Sequence, residues 1–137
     1  MIALDTNVLA RFYIEEDEPE AKRQHLLAAR VMASPALFVA RTVVLELEWV
    51  LRGGYGYARE DIADVIEHLL GLPNVTVENW EMVSDALTDY RAGIDFADAL
   101  HHAAGKAATF ATFDAKFVRA AAKRKLQPPV TLVKAGG

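Results

Sequence analysis

The chain begins with an apolar run that leads directly into an acidic and polar segment. Ile2, Ala3 and Leu4 are followed by Asp5, and an apolar stretch compatible with a helix comes next. A short buried run of this kind indicates a central β-strand. In an open α/β sheet, ligands bind outside the carboxyl ends of the strands. Asp5 is therefore a candidate site residue, because it lies where a strand ends and a helix begins.

Short apolar runs and helix-length amphipathic segments alternate along the rest of the chain. Further strands are predicted at 37–39, 75–77, 109–112 and 130–133, and helices at 6–13, 20–33, 43–52, 59–70, 80–92, from 96 onwards and at 115–125. Strands that alternate with helices predict a parallel sheet covered on both faces. We expect a three-layer α/β/α sandwich with a central parallel sheet of about five strands. The length suits a single domain over residues 1–137.

The composition limits the kinds of site and location. Hydrophobic residues make up 53% of the chain, which argues against disorder, and there is no cysteine for a disulfide or a thiolate metal site. Any metal must be held by oxygen or imidazole. No apolar run approaches the length of a membrane span, and the N-terminus lacks the pattern of an export signal. We therefore expect a cytoplasmic protein that does not contact a membrane.

The charge pattern gives a mixed indication about nucleic acid. The net charge of -4 argues against a nucleic-acid binder, yet four carboxylates in one metal-filled pocket would account for all of it. Arg119, Lys123, Arg124 and Lys125 give the last helix a basic end. A helix C-terminus favours cations in any case, so this end only weakly indicates RNA contact.

Three more acids are placed where they can share a site with Asp5. Asp114 follows the fourth strand, Asp98 lies at a helix start just before it, and Glu46 lies on a helix able to reach the same edge. Each aspartate taken singly is explained as a helix cap or a first-turn acid. Glu46 and Glu48 flank the apolar helix face on opposite sides, so periodicity leaves open which of them points into a site. The simplest alternative is that both are solvated.

Several carboxylates at one sheet edge point to a particular chemistry. Like charges a few ångströms apart raise each other's pKa unless a cation neutralises them, and Mg²⁺ or Mn²⁺ suits an oxygen-only site. Such ions assist hydrolysis of a phosphodiester without a covalent enzyme intermediate. The adjacent His101 and His102 diverge by about 100° on a helix, so we expect surface or supporting roles for them rather than joint ligation. No nucleophile triad is recognisable.

Four short motifs in this order resemble those of a known family. They are Asp5-Thr6-Asn7-Val8-Leu9, Val43-Val44-Leu45-Glu46-Leu47, Phe96-Ala97-Asp98-Ala99-Leu100 and Thr112-Phe113-Asp114. Their order and spacing resemble PIN-domain ribonucleases, and in particular the VapC-type toxins of toxin–antitoxin pairs. The resemblance runs from Met1 to about Val133, which is nearly the whole chain.

The resemblance implies roles for individual residues and for partners. The quartet that would hold Mg²⁺ or Mn²⁺ and carry out catalysis is Asp5, Glu46, Asp98 and Asp114, which selects Glu46 over Glu48. Asn7 and Thr112 would orient these acids, and Asp95 would be auxiliary. The implied activity is that of a toxin that cleaves structured RNA, such as transfer or ribosomal RNA, with a metal-activated water. Relatives of this type form homodimers and are silenced by a small VapB-like antitoxin protein.

Three alternatives differ from this interpretation. A haloacid-dehalogenase-type phosphatase would use Asp5 as a nucleophile and needs a second aspartate two residues later, where this chain has Asn7. A phospho-signalling receiver domain needs paired acids and an acceptor aspartate at a spacing that fits poorly here. A PIN domain that serves only as a non-catalytic interaction module is disfavoured by the intact acids.

Overall fold

The structure is a computed structural model that describes residues 1–105 and 109–134. The chain divides into two compact units, Met1–Trp80 and Glu81–Gly137. Five strands are present in the described part, as predicted, and every strand pair is parallel, which confirms the α/β class. The strands pair as a set of three and a set of two. A single domain over 1–137 stays a prediction. No helix within the described ranges has both the length and the apolar character needed to cross a membrane.

The first unit is built on a three-stranded parallel sheet in the order β1-β2-β3. The strands are β1 (Ile2–Ala3), β2 (Leu37–Val39) and β3 (Val75–Val77). Within this sheet the buried middle strand is β2, whose Leu37 and Val39 are fully buried. Ile2 is 48% exposed, and the first buried residue of the chain is Leu4. The expectation that the first strand is a buried central one is therefore wrong for this sheet, because β1 is only two residues long and flanks β2.

The helices of the first unit follow the predicted positions closely. They are α1 (Thr6–Tyr13), α2 (Pro19–Met32), α3 (Arg41–Trp49) and α4 (Arg59–Gly71). Pro19 lies in the first turn of α2, where its fixed φ and missing N–H are tolerated. After α3 the chain continues as a π-helical turn, Val50–Gly54, where we expected the helix to end at Arg52. The apolar faces of α3 and α4 are buried, with Leu47 and Ile66 among the fully buried residues.

The second unit combines helices with a two-stranded parallel sheet. Its elements are most of α5 (Trp80–Arg91), α6 (Phe96–Ala104), β4 (Phe110–Thr112), α7 (Ala115–Arg124) and β5 (Val130–Leu132). Tyr90 and Phe96 are both buried and meet edge to face, with ring centroids 5.3 Å apart. Phe117 of α7 packs in the same manner on Phe110 of β4, at 5.9 Å. These aromatic contacts fix the starts of α6 and α7, which carry three of the candidate acids.

Candidate active site

Asp5 is the N-cap of α1, as its strand-to-helix position predicts. Its Oδ1 accepts the backbone N–H of Thr6 at 2.7 Å, and the residue is exposed. Within the described ranges Oδ2 makes no hydrogen bond. Asn7 is exposed in the first turn of the same helix. The cap therefore uses one carboxylate oxygen and leaves the second oxygen for another ligand.

A groove in the first unit opens beside this helix. It has a volume of about 440 Å³ and lies between α1 and α2. Its lining is mostly apolar, and its polar members are Asn7, Arg11 and Gln24. Asn7 therefore lies two residues after Asp5 in the sequence and lines this groove.

The hydroxyl of Thr6 is a feature that sequence reasoning missed. Thr6 is buried, and its Oγ1 is a buried side-chain atom for which the described residues supply no hydrogen-bond partner. A buried hydroxyl without a partner costs about 1–3 kcal/mol. Nothing in the sequence marks this atom, because a threonine at a helix start is ordinarily a solvated residue.

Glu78 is a second acid at the carboxyl edge of the three-stranded sheet, and the sequence did not single it out. Its Oε1 accepts the backbone N–H of Arg41 at 3.1 Å and lies 3.6 Å from Arg41 Nε. Ala40 precedes α3 and has no polar side chain to cap it, so Glu78 supplies the cap from the next strand. This contact gives Glu78 a structural role.

Glu46 and Glu48 of α3 have opposite environments. The Glu48 side chain is only 3% exposed, and its Oε2 lies 2.8 Å from Nε of Arg52. The spacing of four residues places the two partners one turn apart on the helix. Glu46 is exposed, and α3 packs against α1, which Asp5 caps. The alternative that both glutamates are solvated is therefore wrong for Glu48.

The acids of the second unit share one electrostatic environment. Asp95 caps α6, and its Oδ2 accepts the backbone N–H of Asp98 at 3.2 Å. Partial burial raises the pKa of Asp98, and the negative charges of Asp95 and Asp114 raise it further, while His101 acts in the opposite direction. The surroundings of Asp98 therefore disfavour its charged form, and a cation beside these negative charges would be stabilised.

Asp114 is held from both sides by backbone contacts at the start of α7. Its Oδ1 accepts the backbone N–H of Phe117 at 3.1 Å, which makes it the predicted N-cap. Its own N–H donates to Oγ1 of Thr112 at 3.0 Å. Thr112 therefore fixes the backbone from which the Asp114 carboxylate projects.

The two adjacent histidines of α6 point to different surroundings, as we expected. His101 is exposed. His102 is buried, and its Nε2 hydrogen-bonds to the backbone carbonyl of Pro128. Because a carbonyl only accepts, Nε2 of His102 carries the hydrogen. His102 thus connects α6 to the segment before β5.

The candidate acids fit a hard divalent cation by their chemistry. Among residues 1–105 and 109–134, no group of three or more acidic or histidine side chains is arranged to hold a metal ion. The candidate donors are nevertheless all carboxylate oxygens, the ligands that Mg²⁺ and Mn²⁺ prefer. Partial burial raises the pKa of Asp98 most, and the negative charges of Asp95 and Asp114 raise it further. The chemistry of these donors therefore fits a divalent cation.

Comparison with known proteins agrees with the ordered motifs. The model of the PIN domain family matches residues 2–123, a range that includes all four candidate acids. A VapC ribonuclease of Aquifex aeolicus (strain VF5) is 32% identical over 90 residues, which are 66% of this chain and 67% of that protein. The resemblance recognised from the four motifs is therefore confirmed.

Proposed function

We propose that this chain, which belongs to the PIN domain family, is a metal-dependent endoribonuclease and the toxin of a toxin–antitoxin pair. The observation that supports this most is the ordered set of four acids inside the matched range 2–123. The relative from Aquifex aeolicus is named a VapC ribonuclease, and we extend that activity to this chain. We expect it to act in the cytoplasm.

The proposed ligands of Mg²⁺ or Mn²⁺ are Asp5, Glu46, Asp98 and Asp114. When bound, such a cation supplies charge stabilisation for a phosphodiester and makes water more acidic. The chain's own groups hold the carboxylates in place: the Thr6 N–H holds Asp5, and Thr112 and the Phe117 N–H hold Asp114. The joint action of acids from both units is part of the proposal and rests on the motifs.

Two features of α3 and α6 support this choice of acids. Glu48 is buried and paired with Arg52, which leaves the exposed Glu46 as the better candidate on α3. On α6, Asp95 contacts the backbone of Asp98 and adds negative charge beside it, as an auxiliary acid would. Asn7 is proposed to orient the acids from the first turn of α1, and Thr112 to do so from the end of β4.

The proposed substrate is structured RNA, such as transfer or ribosomal RNA, and the proposed partners are a second copy of the chain and a small VapB-like antitoxin. We infer this substrate and these partners from the resemblance to VapC-type toxins. Expression of the chain alone should arrest bacterial growth, and co-expression of a small protein encoded by the adjacent reading frame should restore it. Light scattering after size exclusion should give a dimer mass.

The test of the activity is cleavage of total RNA by the purified chain. We expect discrete fragments with Mg²⁺ or Mn²⁺, no cleavage in excess EDTA, and recovery when the cation is restored. Cleavage that persists in EDTA would overturn the metal dependence. Intact RNA under every cation condition, together with no heat of Mg²⁺ or Mn²⁺ binding, would instead favour the non-catalytic interaction module.

A further inference from the structure

Phe113 is an exposed aromatic residue beside a candidate catalytic acid. It lies between Thr112 and Asp114 and is 82% exposed, the highest value among the large apolar residues of 1–105 and 109–134. A residue in this position, just before an N-cap, commonly packs on the residue four positions into the helix, here Val118. An exposure of 82% excludes such packing. Burial therefore does not explain the phenylalanine at this position.

The helix that follows Phe113 presents a row of cations. Lys116, Arg119 and Lys123 are all exposed. At about 100° per residue their positions fall within about 60° of one another, and they span about 10 Å along α7. Within the described residues none of the three makes an ion pair, whereas the neighbouring Arg124 lies 3.3 Å from Asp89. The row is therefore open to a ligand, on a chain whose net charge is -4.

We propose that Phe113, Lys116, Arg119 and Lys123 form a binding ridge, here called the α7 ridge, for a single-stranded segment of RNA. Phe113 stacks on an unpaired base next to Asp114, and the three cations contact phosphates. An aromatic platform followed by a positive track is the combination by which proteins bind single-stranded nucleic acid. The charge complementarity favours RNA over a protein partner. This inference rests on the proposed function and specifies which part of the RNA the site receives.

The ridge makes separable predictions for its aromatic and cationic members. Binding is measured by fluorescence anisotropy of a labelled 12-nucleotide single-stranded RNA, over a series of salt concentrations. The protein is the full chain with Asp98→Asn, so that cleavage does not interfere. Phe113→Ala should weaken binding by about 5-fold to 150-fold at every salt concentration and leave the salt slope unchanged. Lys116→Ala should reduce the magnitude of the salt slope by about 0.7, since one phosphate contact is lost.

Matched controls come from an acidic pocket of the first unit. This pocket is lined by Glu15, Glu16 and Asp17 and also contains Lys22 and Leu26. Leu26 is 64% exposed, so Leu26→Ala removes an exposed apolar side chain from a surface that repels RNA. Lys22→Ala removes an exposed lysine from the same surface. Both variants should bind the RNA as the Asp98→Asn chain does. Phe113→Tyr, which keeps the aromatic face, should do so as well.

The outcomes separate the ridge from the nuclease assignment. If Phe113→Ala binds the RNA as tightly as the Asp98→Asn chain, the ridge is wrong, while cation-dependent cleavage by the parent would still support the nuclease. If Phe113→Ala weakens RNA binding but the parent cleaves nothing, the nuclease fails and the ridge stands as an RNA-binding surface. If Phe113→Ala leaves RNA binding intact and abolishes binding of the antitoxin, Phe113 binds a protein partner. The proposal that the α7 ridge binds RNA is then wrong.

Discussion

The two units of the chain carry their candidate acids in different ways. In the first, Asp5 caps α1 and Glu46 projects from α3, two helices that pack on each other. In the second, the pKa of Asp98 is raised by partial burial and by the charges of Asp95 and Asp114. The second unit thus crowds negative charge near one carboxyl group.

In both units, a helix cap occupies only one oxygen of a candidate carboxylate. Asp5, Asp95 and Asp114 each use one carboxylate oxygen to accept a backbone N–H at a helix start. Each cap fixes the direction of its carboxylate. A helix cap is therefore enough to explain why an acid stands at a strand-to-helix junction. Substitutions are needed to tell a residue that only caps from one that also binds a metal.

The largest expected effect is the loss of RNA cleavage when either unit loses one acid. Asp5→Asn and Asp98→Asn should each lower the cleavage rate by about 100-fold to 1,000-fold, because each removes the charge of a side chain that we propose as a cation ligand. Asparagine keeps a side-chain oxygen for the cap contact of Asp5. Single-turnover cleavage of a labelled RNA measures the rates. If Asp98→Asn loses cleavage while Asp5→Asn cleaves at the parental rate, Asp5 is not needed for cleavage.

A second prediction distinguishes the two glutamates of α3. Glu48→Ala should lower the free energy of unfolding by about 2 kcal/mol, since it removes a buried carboxylate paired with Arg52 and leaves a space. The folded variant should still cleave RNA. Glu46→Gln should show the reverse, with parental stability and little cleavage. Urea denaturation measures the stability of each variant, and the same assay measures its cleavage. If Glu48→Ala keeps parental stability but loses cleavage, Glu48 and not Glu46 is the functional glutamate of α3.

A third prediction concerns the buried hydroxyl next to Asp5. Thr6→Val replaces Oγ1, for which the described residues supply no partner, with a methyl group of similar shape. This change should raise the free energy of unfolding by about 1 kcal/mol. Thr42→Val, at an exposed position of α3, serves as the control and should change stability by less than about 0.5 kcal/mol. A destabilised Thr6→Val protein in urea denaturation would show that the hydroxyl has a partner in solution.

The smallest expected effect is a pH-dependent gain in stability when Asp98 loses its charge. Because the pKa of Asp98 is raised in the folded state, the folded chain holds this proton more tightly than the unfolded chain, and stability falls as the pH rises through that pKa. In EDTA at pH 7, Asp98→Asn should therefore raise Tm, by up to about 2 °C. Below the ordinary pKa of an aspartate the gain should vanish. Asp85→Asn, at an exposed position of α5, should show no such gain, and a lower Tm for Asp98→Asn at pH 7 would contradict the crowding of charge.

Local signals in the sequence were enough to predict most of the helices and strands. Apolar periodicity and Pro19 located α2, and the β-branched run at β3 located that strand. The cap roles of Asp5, Asp95 and Asp114 also follow from sequence position alone, because a cap depends only on residues within one helical turn. The family was recognisable because its motifs are short and ordered.

Features set by distant contacts were not predictable. The burial of Glu48 depends on packing around α3. The cap of α3 comes from Glu78, which follows β3 and is 37 residues from Arg41 in the sequence. The exposure of Phe113 contradicts the usual preference of phenylalanine for burial. The buried hydroxyl of Thr6, which has no partner among the residues that the structure describes, is equally unusual. The position of β1 beside β2, and not in the middle of its sheet, depends on strand pairing that local patterns do not determine.

Calorimetric titration with Mn²⁺ tests most directly the proposal that Asp5 and Asp98 bind the same divalent cation. The full chain, its Asp5→Asn variant and its Asp98→Asn variant are titrated under identical conditions, with Asp85→Asn as the control. We expect the chain and the control to bind Mn²⁺ alike, and both site variants to lose the same binding event. Mn²⁺ binding that survives in either site variant with parental affinity and stoichiometry would contradict it.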